Sequence, residues 1–127
     1  MKIIFNIFII LHGLVHLFYF AQSNRNFELR PNMTWPDNSW LLSKFVGVKI
    51  IRIIASIACI IAAIGFVVSG IGSFFNEAWL KITIYSAFSS SFLYIIFWDR
   101  SFKKLDDQGG IGILINIGLL ILIMCVF

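Results

Sequence analysis

Apolar residues in this chain fall into four long blocks separated by more polar segments: Ile3 to Ala21, Ile53 to Phe75, Trp79 to Trp98 and Ile111 to Phe127. Each approaches the ~20 residues that a helix needs to cross hydrocarbon, the last being short but workable with little tilt. Backbone groups in lipid must be satisfied within the protein, which leaves helices or a closed barrel. A barrel calls for alternating ten-residue strands, a pattern the sequence lacks. The pattern therefore predicts an all-α fold, a four-helix transmembrane bundle in a single domain over 1–127, with helices over about 3–21, 48–75, 79–98 and 110–127. Lys2 before an apolar run resembles a signal peptide. The run exceeds a usual h-region and has no small-x-small cleavage pattern, so it is expected to stay as the first helix.

The polar positions inside these blocks carry most of the remaining information. His12 and His16 lie one turn apart in the first block, where an ionisable ring is a functional candidate by default. In the second block Arg52, Ser56, Cys59, Ala63, Phe66, Gly70 and Ser73 recur at threes and fours, so one face of that helix is made mostly of small residues. Small faces allow close helix packing in lipid, and this one should face the bundle, with Arg52 turning inward or snorkelling to headgroups. The third block carries Ser89 to Ser91, whose hydroxyls bond readily to the preceding turn. The fourth follows Asp106-Asp107-Gln108-Gly109-Gly110, with Asn116 on the stripe of Gly109 and Gly112. The aspartates suit a helix start but repel a phosphate, so the glycines are expected to serve a turn or close packing.

The first loop is the longest polar segment. Pro36 stops any helix there, and Asp37 or Asn38 fits the N-cap of a short interfacial helix through Trp40 to Leu42. Its tryptophans are expected at headgroup level.

Composition agrees with the pattern: 60% of residues are hydrophobic and 13% charged, too few polar residues to cover a water-soluble globule. Charge adds topology. Eight of the ten Lys and Arg flank the first and third loops (Arg25, Arg30, Lys44, Lys49, Arg52, Arg100, Lys103, Lys104). The positive-inside rule then predicts N-out and C-out, with both loops in the cytoplasm. The net charge of +4 reads as topology and contact with membrane lipids, and no nucleic-acid partner is expected. Cys59 and Cys125 fall at depths differing by ~10 Å, so they are expected to stay unbridged.

In that topology the polar residues gather in one leaflet. A cytoplasmic-side pocket is expected, floored by His12 and lined by His16, Tyr19, Arg52, Ser91, Asp99 and Asn116. His16 is expected near Asp99 or Asn116, and His12 near Ser89 to Ser91. Interhelical hydrogen bonds alone would account for such residues, since each stabilises by about 0.6–2 kcal/mol. Two histidines on consecutive turns lie on one side of a helix, which excludes bis-histidine haem within the chain. A metal held by His12, His16 and Asp99 would still lack a ligand for a closed zinc site. No cofactor is expected.

His12-Gly13-Leu14-Val15-His16, Trp35-Pro36 to Ser39-Trp40, Trp98-Asp99 and the Asp107-Gln108-Gly109-Gly110 to Asn116 run together resemble a group of small four-helix membrane proteins of bacteria and archaea. The resemblance spans most of the chain. It implies a prokaryotic cytoplasmic membrane and no particular activity. A looser likeness, in size and helix count, is to DoxX-type proteins linked to quinone and thiol oxidation. The leading expectation is a non-enzymatic membrane protein whose pocket binds a small ligand, lipid headgroup or partner helix. The alternatives are a quinone- or metal-linked redox enzyme or accessory subunit, and a structural subunit that works as a homo-oligomer or beside a partner membrane protein.

Overall fold

A computed structural model describes residues 2–127. Four helices run α1 (Lys2–Ser23), α2 (Val48–Gly72), α3 (Trp79–Ile96) and α4 (Gly110–Val126), with a short 3-10 helix at Leu42–Lys44 and no strand among the described residues. The first three are long and apolar enough to cross a membrane, and α4 is a shorter apolar helix. α1 runs two residues past its expected end because Gln22 and Ser23 are buried and bonded. α2 stops earlier than expected, at Gly72, whose carbonyl accepts from the Phe75 and Asn76 amides as the chain turns.

Neighbours in sequence pack together: α1 on α2, α2 on α3, α3 on α4. α2 is therefore central, and its small face is buried at Ser56, Cys59, Ala63, Phe66, Gly70 and Ser73, as the spacing predicted. The α1/α2 crossing is tight. A Cβ on Gly13 would stand 2.8 Å from Phe66 Cβ and 3.1 Å from the Ala63 carbonyl oxygen, and one on Gly70 would stand 3.1 Å from the Asn6 carbonyl oxygen. Close approach of this kind lets dispersion hold helices together where water-driven burial cannot act. Cys59 is buried, Cys125 is exposed, and both are free.

The interior is layered. At the loop end Met33, Trp35, Ile51, Cys59, Leu93, Tyr94 and Phe97 form one apolar cluster. At the other end Phe5, Ile9, Phe66, Trp79, Leu119 and Ile123 form a second. The buried polar side chains His12, His16, Ser90 and Asn116 lie between the two along α1, α3 and α4.

Loop one departs from expectation. No helix starts at Asp37 or Asn38, because the Asp37 carboxylate is taken by Arg25 (2.8 Å) and Arg52 (2.7 Å). The turn instead begins at Ser39, whose hydroxyl accepts from the Leu42 amide while its own amide donates to Ser43 Oγ. Trp35 does not sit at the surface either. It is buried against Tyr19, Tyr94 and Phe97. Gln22, fully buried, pulls the loop down: its amide donates to the carbonyls of Met33 and Trp35, and its oxygen accepts from the Leu29 amide. Trp40 is half-buried, with its indole N–H on the Ile95 carbonyl and Arg100 over its ring.

Candidate functional site

Both histidines turn inward, His12 5% and His16 1% exposed, because Gly13 on the same face seats α1 against α2. Their partners fix their protons. The His12 carbonyl can only accept, so His16 Nδ1, 3.0 Å away, carries the hydrogen. In a neutral ring His16 Nε2 must then accept, from Ser90 Oγ at 2.7 Å. Ser90 has given its proton to that bond, so its oxygen accepts from Asn116 Nδ2 at 3.0 Å. The amide orientation follows, with Asn116 Oδ1 facing His12 Nε2 at 2.8 Å and Nδ2 also donating to Ser91 Oγ at 3.0 Å. His12 therefore donates through Nε2, and its Nδ1 keeps a lone pair with no protein partner among the described residues. An imidazolium at either position would lack an adjacent carboxylate in this layer, so the neutral arrangement is the economical one.

Beside His12 is a cavity of about 270 Å³. His12, His16 and Tyr19 line it from α1, Tyr94 from α3, and Ile111, Gly112 and Ile115 from α4, while Leu29, Arg30 and Met33 of loop one close its loop side. Gly112 is needed there because a Cβ would press on the Tyr94 ring at 3.0 Å, and Gly109 adopts φ +83 beneath the same ring, where only glycine is unstrained. At the rim Arg30 binds both Asp106 and Asp107, the latter at 2.8 Å. The Arg30 hydrogen bond holds the Asp106 carboxyl below its ordinary pKa. Tyr19 Oη donates to the Asp106 carbonyl at 3.4 Å.

The structure brings together His12, His16, Tyr19, Ser91 and Asn116 of the expected set, with the histidine partners exchanged: His12 meets Asn116, and His16 meets a serine. Arg52 and Asp99 stand elsewhere. Arg52 makes a two-pronged bond to Asp37, at 2.7 and 2.9 Å. Partial burial would raise the Asp37 pKa, and the bonds and charges of Arg52 and Arg25 outweigh it and hold the carboxyl low. Asp99 accepts from the Ser101 amide, while its own amide donates to Gln108, so it contributes nothing to a metal site with the histidines. Among the described residues no group of three or more His, Cys, Asp or Glu is placed to hold a metal ion.

The sequence places a histidine beside the Ser89 to Ser91 segment and points to Ser91 as the site residue, whereas Ser90 is the one that bonds both His16 and Asn116; the Arg30 clamp was not expected. A signal for Ser90 was present: Thr83, Ser86, Ala87, Ser90 and Tyr94 recur at helical spacing on the buried face of α3. The clamp had none, since its partners are more than seventy residues apart. No family model, curated protein or solved structure matches the chain.

Proposed function

We propose that the protein is a non-enzymatic, multi-pass membrane protein that binds a small membrane-dissolved molecule beside His12. One observation carries the reading: a largely aromatic and aliphatic cavity, with Arg30, Asp106 and Asp107 at its rim, is lined by His12, whose Nδ1 lone pair has no protein partner. Apolar walls with a few polar atoms are the usual make-up of a ligand pocket. The Lys and Arg bias toward loops one and three supports an N-out, C-out orientation, which puts the cavity in the cytoplasmic leaflet. The resemblance to prokaryotic four-helix proteins with the H-G-x-x-H element supports a bacterial or archaeal cytoplasmic membrane.

Imidazole 15N NMR tests the reading directly, because the chain has two histidines. In phosphatidylcholine nanodiscs, His12 should appear as the Nε2–H tautomer and His16 as the Nδ1–H tautomer. Saturating phenol, a small donor that dissolves in membranes, should shift His12 Nδ1 and leave His16 Nδ1 in place. An unmoved His12 signal, or a His12 protonated at Nδ1 from the outset, would reject the pocket.

A further inference from the structure

The cavity beside His12 has a neighbour on the far side of the polar layer. A second, larger trough of about 700 Å³ lies between the other halves of α1 and α4, walled by Ile4, Phe5 and Phe8 on one side and Leu119, Leu122 and Val126 on the other. Ile115 lines both spaces, and Phe8 of the trough stacks on His12 of the cavity with ring planes 4° apart. The α4 residues involved run from Ile111 to Val126, a rise of about 22 Å. Along that length the chemistry changes once, from Arg30, Tyr19 and His12 at the loop end to side chains that are apolar apart from Lys2 at the far end.

We infer that this is a lateral groove for a single-tailed membrane amphiphile with an uncharged, hydroxyl-bearing head, the head bonding His12 and the tail lying between α1 and α4. The inference rests on the pocket reading above and adds the ligand class and its route. Polarity and shape select the occupant. His12 Nδ1 asks for a donor. An anionic head would meet two carboxylates against one guanidinium at the rim. An ammonium would find excess carboxylate charge only at the rim, where Arg30 already binds Asp106 and Asp107, and none beside His12. A helix of a second copy fits the trough but not the upper end, since helices are ~10 Å across and Leu29, Arg30 and Met33 close a space of about 270 Å³ there. A head with one tail fits both. Access is sideways from the bilayer, through the seam where α1 and α4 do not pack backbone to backbone.

The test uses a 4-alkylphenol with a ten-carbon tail and a diazirine at the tail end, photolysed with the protein in phosphatidylcholine nanodiscs. Labels should concentrate on residues 4–8 and 118–126, and excess untailed phenol should suppress them. Gly118→Phe fills the trough, and a Cβ there meets nothing within 4 Å, so the variant should fold. It should cut labelling at least tenfold while the phenol-induced shift of His12 persists. A matching probe with a carboxylate head should label at least tenfold less than the phenol. Labels spread evenly over the exposed faces of α2 and α3, with the His12 shift intact, overturn the groove and leave the pocket standing. Equal labelling by the carboxylate probe overturns the head chemistry. No His12 shift removes the pocket and the groove together. A wild-type dimer that Gly118→Phe dissociates, with little labelling in either, overturns the amphiphile in favour of a second copy of the chain.

Discussion

Helix α1 has two seams, and they are built on opposite principles. Toward α2 it presents Gly13 and receives Gly70, the backbones close up, and no room remains for anything else. Toward α4 the backbones stay apart, and side chains bridge the gap at two levels, His12 to Asn116 and Phe5 to Phe127. The first seam is held by many weak contacts that need exact fit, the second by a few directional ones that tolerate space beside them. One helix can thus be anchored on one side and leave a groove on the other, because in lipid a gap lined with apolar side chains can be filled by tails.

The largest effect should come from spoiling the close seam. Gly13→Leu drives a branched side chain into Phe66 and the Ala63 carbonyl, neither of which can retreat inside the central helix pair. Overpacking of a well-fitted core costs about 1–3 kcal/mol and at times more. Thermal unfolding in detergent should move down sharply, while Gly118→Leu on the open seam, where a Cβ meets nothing, should melt like the wild type. Equal melting of the two variants would erase the distinction between the seams.

The open seam should fail differently. Asn116→Ala removes bonds to His12, Ser90 and Ser91 and leaves the His12 N–H without its partner. At about 0.6–2 kcal/mol for each interhelical bond, with partial re-pairing among the serines, the expected loss is about 1–2 kcal/mol. Ser91→Ala, which gives up one of those bonds, should cost less. Spin-label distances between α1 and α4 should widen in Asn116→Ala, with α1 to α2 distances unchanged. A variant that loosens both seams alike would show that the polar layer serves the whole bundle and not this gap.

The two seams were also unequally legible from sequence. The small face of α2 was readable because periodicity alone puts Ser56, Cys59, Ala63 and Gly70 on one side, and a small face in lipid has one use. That the histidines turn inward was readable for a similar reason, since lipid offers a ring nitrogen no partner. Which partner each histidine takes was not, because it depends on the axial offset of α1 against α3 and α4. Loop one was misread for Trp35: the tendency of tryptophan to sit at headgroups gave way to a local fact, the buried Gln22 amide that draws the loop carbonyls inward. Arg52 and Asp99 looked like site residues because they are charged near helix ends, yet each is satisfied within a few residues of a loop.

The smallest expected effect concerns what closes the groove at its loop end, where neither seam reaches. Loop one is tied down by Asp37 to Arg25 and Arg52, and loop three is tied to it by Arg30 to Asp106 and Asp107. Asp37 and Asp106 both have depressed folded-state pKa values. Their stabilisation is therefore fully present above the unfolded value, about 3.9 for aspartate, and is lost as pH falls through the lower folded values. Between pH 7 and 5 the loop should stay closed. Below about pH 4, hydrogen exchange at loop-one amides and the polarity reported by Trp35 fluorescence should rise, while the α1/α2 seam, which contains no carboxylate, should hold. Arg30→Ala at neutral pH should reproduce the part that belongs to loop three. Because Arg30 and Asp106 are exposed, salt should weaken that clamp too, more than it weakens the half-buried Asp37 pair. Loosening that starts at pH 6, or that spreads to the α1/α2 amides at the same pH as loop one, would mean that the loops are held by something other than these carboxylates.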